Sequence, residues 1–179
     1  IVLGGSRPTS TDEADPDIDI GIYYEKAKLD YGMLNRLAKE LDDGHRENLV
    51  CQEGGWGPWV NCGGWLKIGG CSVDLILRDW DRVMEAVRET DRGEFSAHYQ
   101  TGHPHAFLNV AYRGELAACR VLYSRDSEFE EQKQYAQQYP GAYSERVNRM
   151  FEVLGGEPLR GISMLKELCG QVQALCEEL

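Results

Sequence analysis

The stretch Asp17-Ile18-Asp19-Ile20-Gly21-Ile22-Tyr23-Tyr24 sets two carboxylates two residues apart in an otherwise apolar run. Its β-branched and aromatic density marks a strand. In a strand successive side chains point to opposite faces, so Asp17, Asp19, Gly21 and Tyr23 share one face while Ile18, Ile20, Ile22 and Tyr24 share the other. The isoleucine face must be buried, which obliges the chain to build a sheet with a covering layer. The other face carries paired charge. Two carboxylates this close repel and raise one another's pKa unless a cation lies between them, so the pattern reads as a divalent-metal site. The same spacing also suits a strand end whose acids simply face water. Residues elsewhere in the chain have to decide.

Composition narrows the choice. A formal net charge of −11 with no basic stripe argues against nucleic acid as a major partner, because backbone binding needs Lys and Arg to neutralise phosphates. Any phosphate ligand is therefore expected to be small and escorted by metal. No apolar run approaches transmembrane length, so no membrane partner is expected. The sequence starts directly on Ile1-Val2-Leu3, without initiator Met or secretory signal; the expectation is a cytoplasmic protein lacking an N-terminal piece. Its 179 residues suffice for one well-buried domain and a smaller appendage. The cysteines Cys51, Cys62, Cys71, Cys119, Cys169 and Cys176 are scattered without a Cys-x-x-Cys and read as reduced packing residues rather than zinc ligands or disulfides.

Along the chain, Ile1-Val2-Leu3 forms a short strand that runs into Gly4-Gly5-Ser6 and the polar, turn-rich Arg7 to Glu13. Successive N–H groups at that turn, with the Ser6 hydroxyl, suit an anion such as a phosphate tail, although a plain glycine turn has the same composition. Asp30 can cap a helix with Leu34, Leu37, Ala38 and Leu41 inward, covering the sheet. Asn48 to Glu53 reads as another strand. The run Gly54 to Trp65 then holds Trp56, Trp59 and Trp65 on a glycine-rich loop, suited either to stacking on a ring or to plugging the end of a sheet.

Leu66-Lys67-Ile68 and Cys71 to Leu77 read as two strands joined by the Gly69-Gly70 turn. Alternation puts Val73, Leu75 and Leu77 on one face, and Ser72 and Asp74 on the other. A mid-strand Asp is unfavourable by propensity and by burial unless it has a partner. If this strand lies beside the first acidic one, that partner is a metal shared with Asp17 and Asp19. Asp79 caps the next helix, with Trp80, Val83, Met84 and Val87 inward. The Gly102-His103-Pro104-His105 segment suits a metal-binding or acid–base pair, or a proline-shaped turn. From Asn109 the pattern is helical throughout, ending in a near-heptad seam from Leu165 to Leu179.

Taken in order, Leu3, Gly4-Gly5-Ser6, Asp17-x-Asp19 and the later strand Asp74 resemble the nucleotidyltransferase superfamily, which includes polymerase-β-like enzymes, aminoglycoside-modifying adenylyltransferases and the minimal antitoxin-type members. The resemblance covers residues 1 to 105 and points to an uncharacterised bacterial branch. Two departures are a helix missing before the first strand and an abbreviated helical half.

The resemblance implies an α+β fold. A nucleotidyltransferase-type mixed sheet flanked by helices would occupy residues 1–105, followed by a small all-α C-terminal helical region over 106–179. It implies a metal-dependent transferase that moves a nucleoside monophosphate from a nucleoside triphosphate, ATP by expectation, to a hydroxyl of a small-molecule acceptor. Asp17, Asp19 and Asp74 would be the catalytic and metal-binding residues for two Mg²⁺ ions, and Gly4, Gly5, Ser6 and Arg7 would meet the phosphates. Trp56, Trp59, Trp65, His103 and His105 would wall the acceptor pocket. The alternatives are adenylylation of a partner protein and a non-catalytic nucleotide-binding module.

Overall fold

A computed structural model describes residues 1–4, 17–99 and 107–146. Gly5, Ser6, Arg7, His103, His105, the chain after residue 146 and its Leu165 to Leu179 seam lie outside the described residues.

The isoleucine strand and the strand carrying Asp74 form the centre of the sheet. β2 (Ile18–Tyr24) runs parallel to β4 (Cys71–Asp79), with Ile18 opposite Val73 and Tyr24 opposite Asp79. β3 (Cys62–Ile68) pairs antiparallel with β4 through a two-residue turn, whose Gly69 and Gly70 adopt φ of +59° and +84°. That left-handed pair is what a tight hairpin demands and what glycine supplies cheaply. On the other side, β1 (Val2–Leu3) pairs antiparallel with β2. The five-stranded mixed sheet has the order β3-β4-β2-β1-β7.

One face is the expected core. Ile18, Ile20, Ile22 and Tyr24 pack with Val73, Leu75, Leu77, Cys62 and Leu66 beneath α1 (Tyr31–Leu41). Asp30 caps that helix as expected, accepting from the Met33 N–H at 2.9 Å. The helix presents Leu34 and Ala38 inward, but Leu37 and Leu41 are exposed, contrary to the four-residue stripe read from spacing. Asn35 occupies part of the inward face instead. Its side-chain amide donates to the Val50 carbonyl and accepts from the Val50 N–H, both at 2.9 Å.

The same contact explains why Asn48 to Glu53 is not a strand. With both Val50 backbone groups held by Asn35, what remains is one isolated bridge, Val50 to Gly64. Trp65, read as part of a loop, belongs to β3, which begins three residues earlier at Cys62.

The other face is covered near the C-terminal ends of β2 and β4. Asp79 caps α2 (Trp80–Asp91), which buries Val83 and Val87 as expected. Between α2 and the next helix, β5 (Ala97–His98) and β6 (Phe107–Leu108) form a two-stranded sheet. α3 (Asn109–Ala118) contributes Tyr112 and Leu116 to this second core, and α4 (Glu128–Ala136) contributes Phe129 and Ala136. Between them the chain is not helical. β7 (Arg120–Val121) pairs with β1, Val121 opposite Val2, so this stretch supplies the fifth strand. The exposed edge of β1 offers backbone groups that a short extended segment can satisfy.

Two arginines join the layers. Arg78, buried on β4, holds Glu115 of α3 through Nε and Nη2 at 2.7 and 2.8 Å and donates to the Val60 carbonyl. Arg113 does the same work among the helices. The four described cysteines form no disulfide with one another. No helix among the described residues is long and apolar enough to cross a membrane.

Candidate functional site

The sheet register turns the sequence pattern into a surface. Asp19 lies directly opposite Asp74 on adjacent parallel strands, and Trp65 lies opposite Asp74 on the far side. Register partners point to the same face of a sheet. One step toward the N-terminus of β4, Ser72 pairs with Lys67. Asp17, immediately before β2, belongs to the same face by alternation. Gly4 approaches from the opposite side and donates its N–H to the Asp19 carbonyl at 2.9 Å. The three aspartates are therefore gathered at the N-terminal half of the sheet face that the helices α2 to α4 leave open.

Electrostatics agrees with the geometry. The Asp74 carboxyl is pushed above the usual carboxylate range, chiefly because partial burial penalises its charge, and then because Asp19 and Asp17 repel it. A side-chain hydrogen bond from Trp65 works the other way. The three side chains thus feel one another, but no three acidic, histidine or cysteine side chains among the described residues converge tightly enough to form a ready-made metal site. That is compatible with Mg²⁺, which dehydrates reluctantly and is usually held by one or two carboxylates together with substrate phosphates and water, not by an all-protein cage. The donor set is hard oxygen throughout, the kind Mg²⁺ takes.

Beside the carboxylates lies a cavity of about 450 Å³ lined by Asp17, Asp74, Ser72, Trp65, Lys67 and Arg46, among others. Its wall is the turn after α1, sewn to the edge of β3. The Asp42 carboxylate accepts from the Lys67 N–H and from Arg46, and Asp43 accepts from the Gly69 and Gly70 N–H groups, both at 2.8 Å. Arg46 also donates to the Trp65 carbonyl at 3.1 Å. Lys67, Ser72 and Arg46 are cavity residues that the sequence reading did not single out. The period-two argument that located Asp74 also places Lys67 beside Trp65, so that residue was within reach. Arg46 was not, because it arrives through a long-range turn.

The tryptophans separate into two roles. Trp56 and Trp65 stack at 4.7 Å with 28° between planes, and Trp65 stays 61% exposed beside the acids. Trp59 instead stacks on His98 at 3.5 Å, lies beneath Arg82, and packs against the helical core. A larger cavity, about 820 Å³, lies beyond the opposite end of β2, floored by Tyr23, Trp80 and Phe129. Its rim cations Lys28 and Arg125 are engaged with Glu25 and Asp126.

The fold thus defines a class no finer than an α+β protein built on a five-stranded mixed sheet, with an acidic patch on one face. Comparison adds no relative: no family model, no curated protein and no solved structure matches the chain.

Proposed function

We propose that this protein is a cytoplasmic, metal-dependent nucleotidyltransferase with a nucleotidyltransferase-type fold, acting on a nucleoside triphosphate and a small hydroxyl-bearing acceptor. The observation that carries the reading is the register pairing of Asp19 with Asp74, with Asp17 two residues earlier on the same open face. Carboxylates on one patch repel, and a divalent cation shared with substrate phosphates relieves that repulsion.

In this reading Asp17 and Asp19 hold Mg²⁺ against the triphosphate, and Asp74 completes the set. When bound, Mg²⁺ neutralises the phosphate charge that builds during transfer. The acceptor oxygen attacks the α-phosphorus, the α–β phosphoanhydride bond breaks, and pyrophosphate leaves. The acceptor's proton passes to Asp74, the carboxylate that stands opposite Asp19 on the neighbouring strand. The backbone at Gly4, with Gly5, Ser6 and Arg7 as the sequence pattern has them, meets the outer phosphates.

The test compares wild type with Asp19→Asn and Asp74→Asn. Binding of ATP is measured by calorimetry with and without Mg²⁺, and transfer is followed with ATP labelled at the α-phosphate. Expected is Mg²⁺-dependent ATP binding by wild type, lost by at least tenfold in both variants. The thermal midpoint of Asp74→Asn at pH 7 should be unchanged or slightly raised, since the substitution removes a charge that Asp19 and Asp17 repel. ATP binding that ignores Mg²⁺, or variants that bind as wild type does, would defeat the reading. Label appearing on a protein, and not on a small molecule, would redirect it to partner adenylylation.

A further inference from the structure

The Trp56–Trp65 pair stands next to the acids, and no step described above uses it. Trp65 is exposed in a stretch of β3 where Cys62, Gly63, Gly64 and Leu66 are all buried. Its ring is braced all the same. Trp56 stacks behind it, and the Trp56 backbone N–H is tied to the Asn61 carbonyl at 3.0 Å. The Trp56 ring also occupies the space that a side chain at position 63 would fill, so Gly63 is what lets it sit there. A large aromatic surface held stiff in water loses little freedom when a flat ligand covers it.

Its neighbours say what kind of ring. Across the ladder from Trp65 is Asp74, at a cross-strand spacing of about 4.5–5.5 Å between side-chain bases. Two residues along β3, roughly 6.6–6.8 Å away, Lys67 projects to the same face. Arg46 is occupied by the Asp42 carboxylate and the Trp65 carbonyl, whereas Lys67, which feels the Asp43 carboxylate, is within salt-bridge distance of no acid among the described residues. A ligand lying on Trp65 therefore meets a carboxylate on one side and an ammonium on the other, within one cavity.

We propose that Trp65, braced by Trp56, is the platform on which the acceptor's planar ring stacks, with the acceptor hydroxyl toward Asp74 and an anionic substituent on Lys67. The acceptor class is then a hydroxylated aromatic or heteroaromatic acid, not a saturated polyol. This rests on the transfer reading above for the word acceptor; the ring site itself does not.

The probes are 4-hydroxybenzoate, its saturated counterpart 4-hydroxycyclohexanecarboxylate, and the uncharged 4-hydroxybenzamide. Each is titrated calorimetrically into the full chain, with and without MgATP. The aromatic acid should bind at least about tenfold tighter than either comparison compound. Trp65→Leu should erase the preference for the aromatic ring, Trp65→Phe should keep most of it, and Lys67→Ala should erase the preference for the acid over the amide. Thermal midpoints of all three variants are measured alongside and should match wild type, since both side chains are exposed. Equal binding of flat and saturated rings, survival of the preference in Trp65→Leu, or no binding of any probe at about 10 mM would overturn the proposal. Ring binding without MgATP binding would remove the transfer reading and leave the platform; MgATP binding without ring binding would do the reverse.

Discussion

A carboxylate taken out of water needs its oxygens filled, and Asp42 fills both. Its side chain is fully buried at the end of α1, where it accepts from Arg46 Nε and Nη2 at 2.9 and 2.6 Å and from the Lys67 N–H at 2.9 Å. The Arg46 guanidinium first, and the Lys67 amide after it, hold its pKa well below the usual carboxylate range. The sign of the consequence follows from linkage. Between the folded pKa and the unfolded value near 3.9, the unfolded chain binds more protons, so this stabilisation is complete above about pH 4–5 and lost as pH falls through the folded pKa. Asp42→Asn should therefore lower the thermal midpoint at pH 7 by several degrees and flatten its fall on acidification relative to wild type. Thermal unfolding followed by circular dichroism at pH 7, 5 and 3 measures both, and parallel profiles for the two proteins would show that Asp42 is not the linked group. Asp42 also illustrates what a sequence withholds. Leu41-Asp42-Asp43-Gly44 reads as an ordinary helix ending, and nothing local says that one of its acids will clamp a strand 25 residues away. The face that Asp17, Asp19 and Asp74 take on their own strands was legible because strand alternation is a geometric rule that holds before tertiary structure is known, whereas the pairing of β2 with β4 that brings them together is not a local property.

At the scale of elements, β3 shows where period and propensity stop informing. Gly63 and Gly64 argue against a strand by propensity, yet both lie in one, because neighbouring groups come too close for any side chain. A Cβ at position 63 would overlap the Leu75 carbonyl oxygen and the Trp56 ring; at position 64 it would meet the Leu49 carbonyl oxygen at 2.5 Å. Backbone cannot step aside as a flexible side-chain tip can. Gly63→Ala should accordingly cost about 1–3 kcal/mol or more in urea unfolding and unseat Trp56 from Trp65. Gly114→Ala is the matched contrast, since that glycine sits exposed inside α3 with open space where its Cβ would go. It should stabilise by about 0.5–1 kcal/mol, the helix preference for alanine over glycine. Equal effects at the two sites would mean that the close approach in β3 is not real. The hairpin, α1 and α2 were legible because Gly69-Gly70, Asp30 and Asp79 are local signals that act locally. The outward turn of Leu37 and Leu41 and the loss of a strand at Asn48 to Glu53 both trace to Asn35, whose bond to Val50 spans 15 residues.

For the molecule as a whole, one sheet separates two cores that share no helix, and polar ties decide whether the helical layer stays with it. Arg113 is the densest of them. Only 4% exposed, it donates to the Ala136 and Gln138 carbonyls at the end of α4 and to Thr90 Oγ1 and Asp91 Oδ1 at the end of α2. Two helices, α2 and α4, thus terminate on one guanidinium carried by the middle of α3, which also satisfies carbonyls that helix ends would otherwise leave unpaired. Five N–H donors in a fixed fork can serve this many acceptors, and an ammonium with three cannot. Arg113→Met keeps much of the packing volume but strands those carbonyls and leaves the Asp91 carboxylate with the Tyr135 hydroxyl in place of its ion pair. It should destabilise by about 3–5 kcal/mol, a large fraction of the 5–15 kcal/mol typical of a domain. Arg113→Lys should recover no more than part of the loss. Because the tie is local to α2, α3 and α4, hydrogen exchange in Arg113→Met should accelerate first at amides of α3 and α4, while β2 and β4 keep their protection and Mg²⁺-dependent ATP binding falls less than stability does. A loss below about 1 kcal/mol, or exchange that rises uniformly across sheet and helices, would mean that the layers are joined by their apolar contacts instead. The acidic patch lies on the part of the sheet face these helices leave open, so a loosened helical layer and an intact carboxylate set are separable outcomes of one substitution.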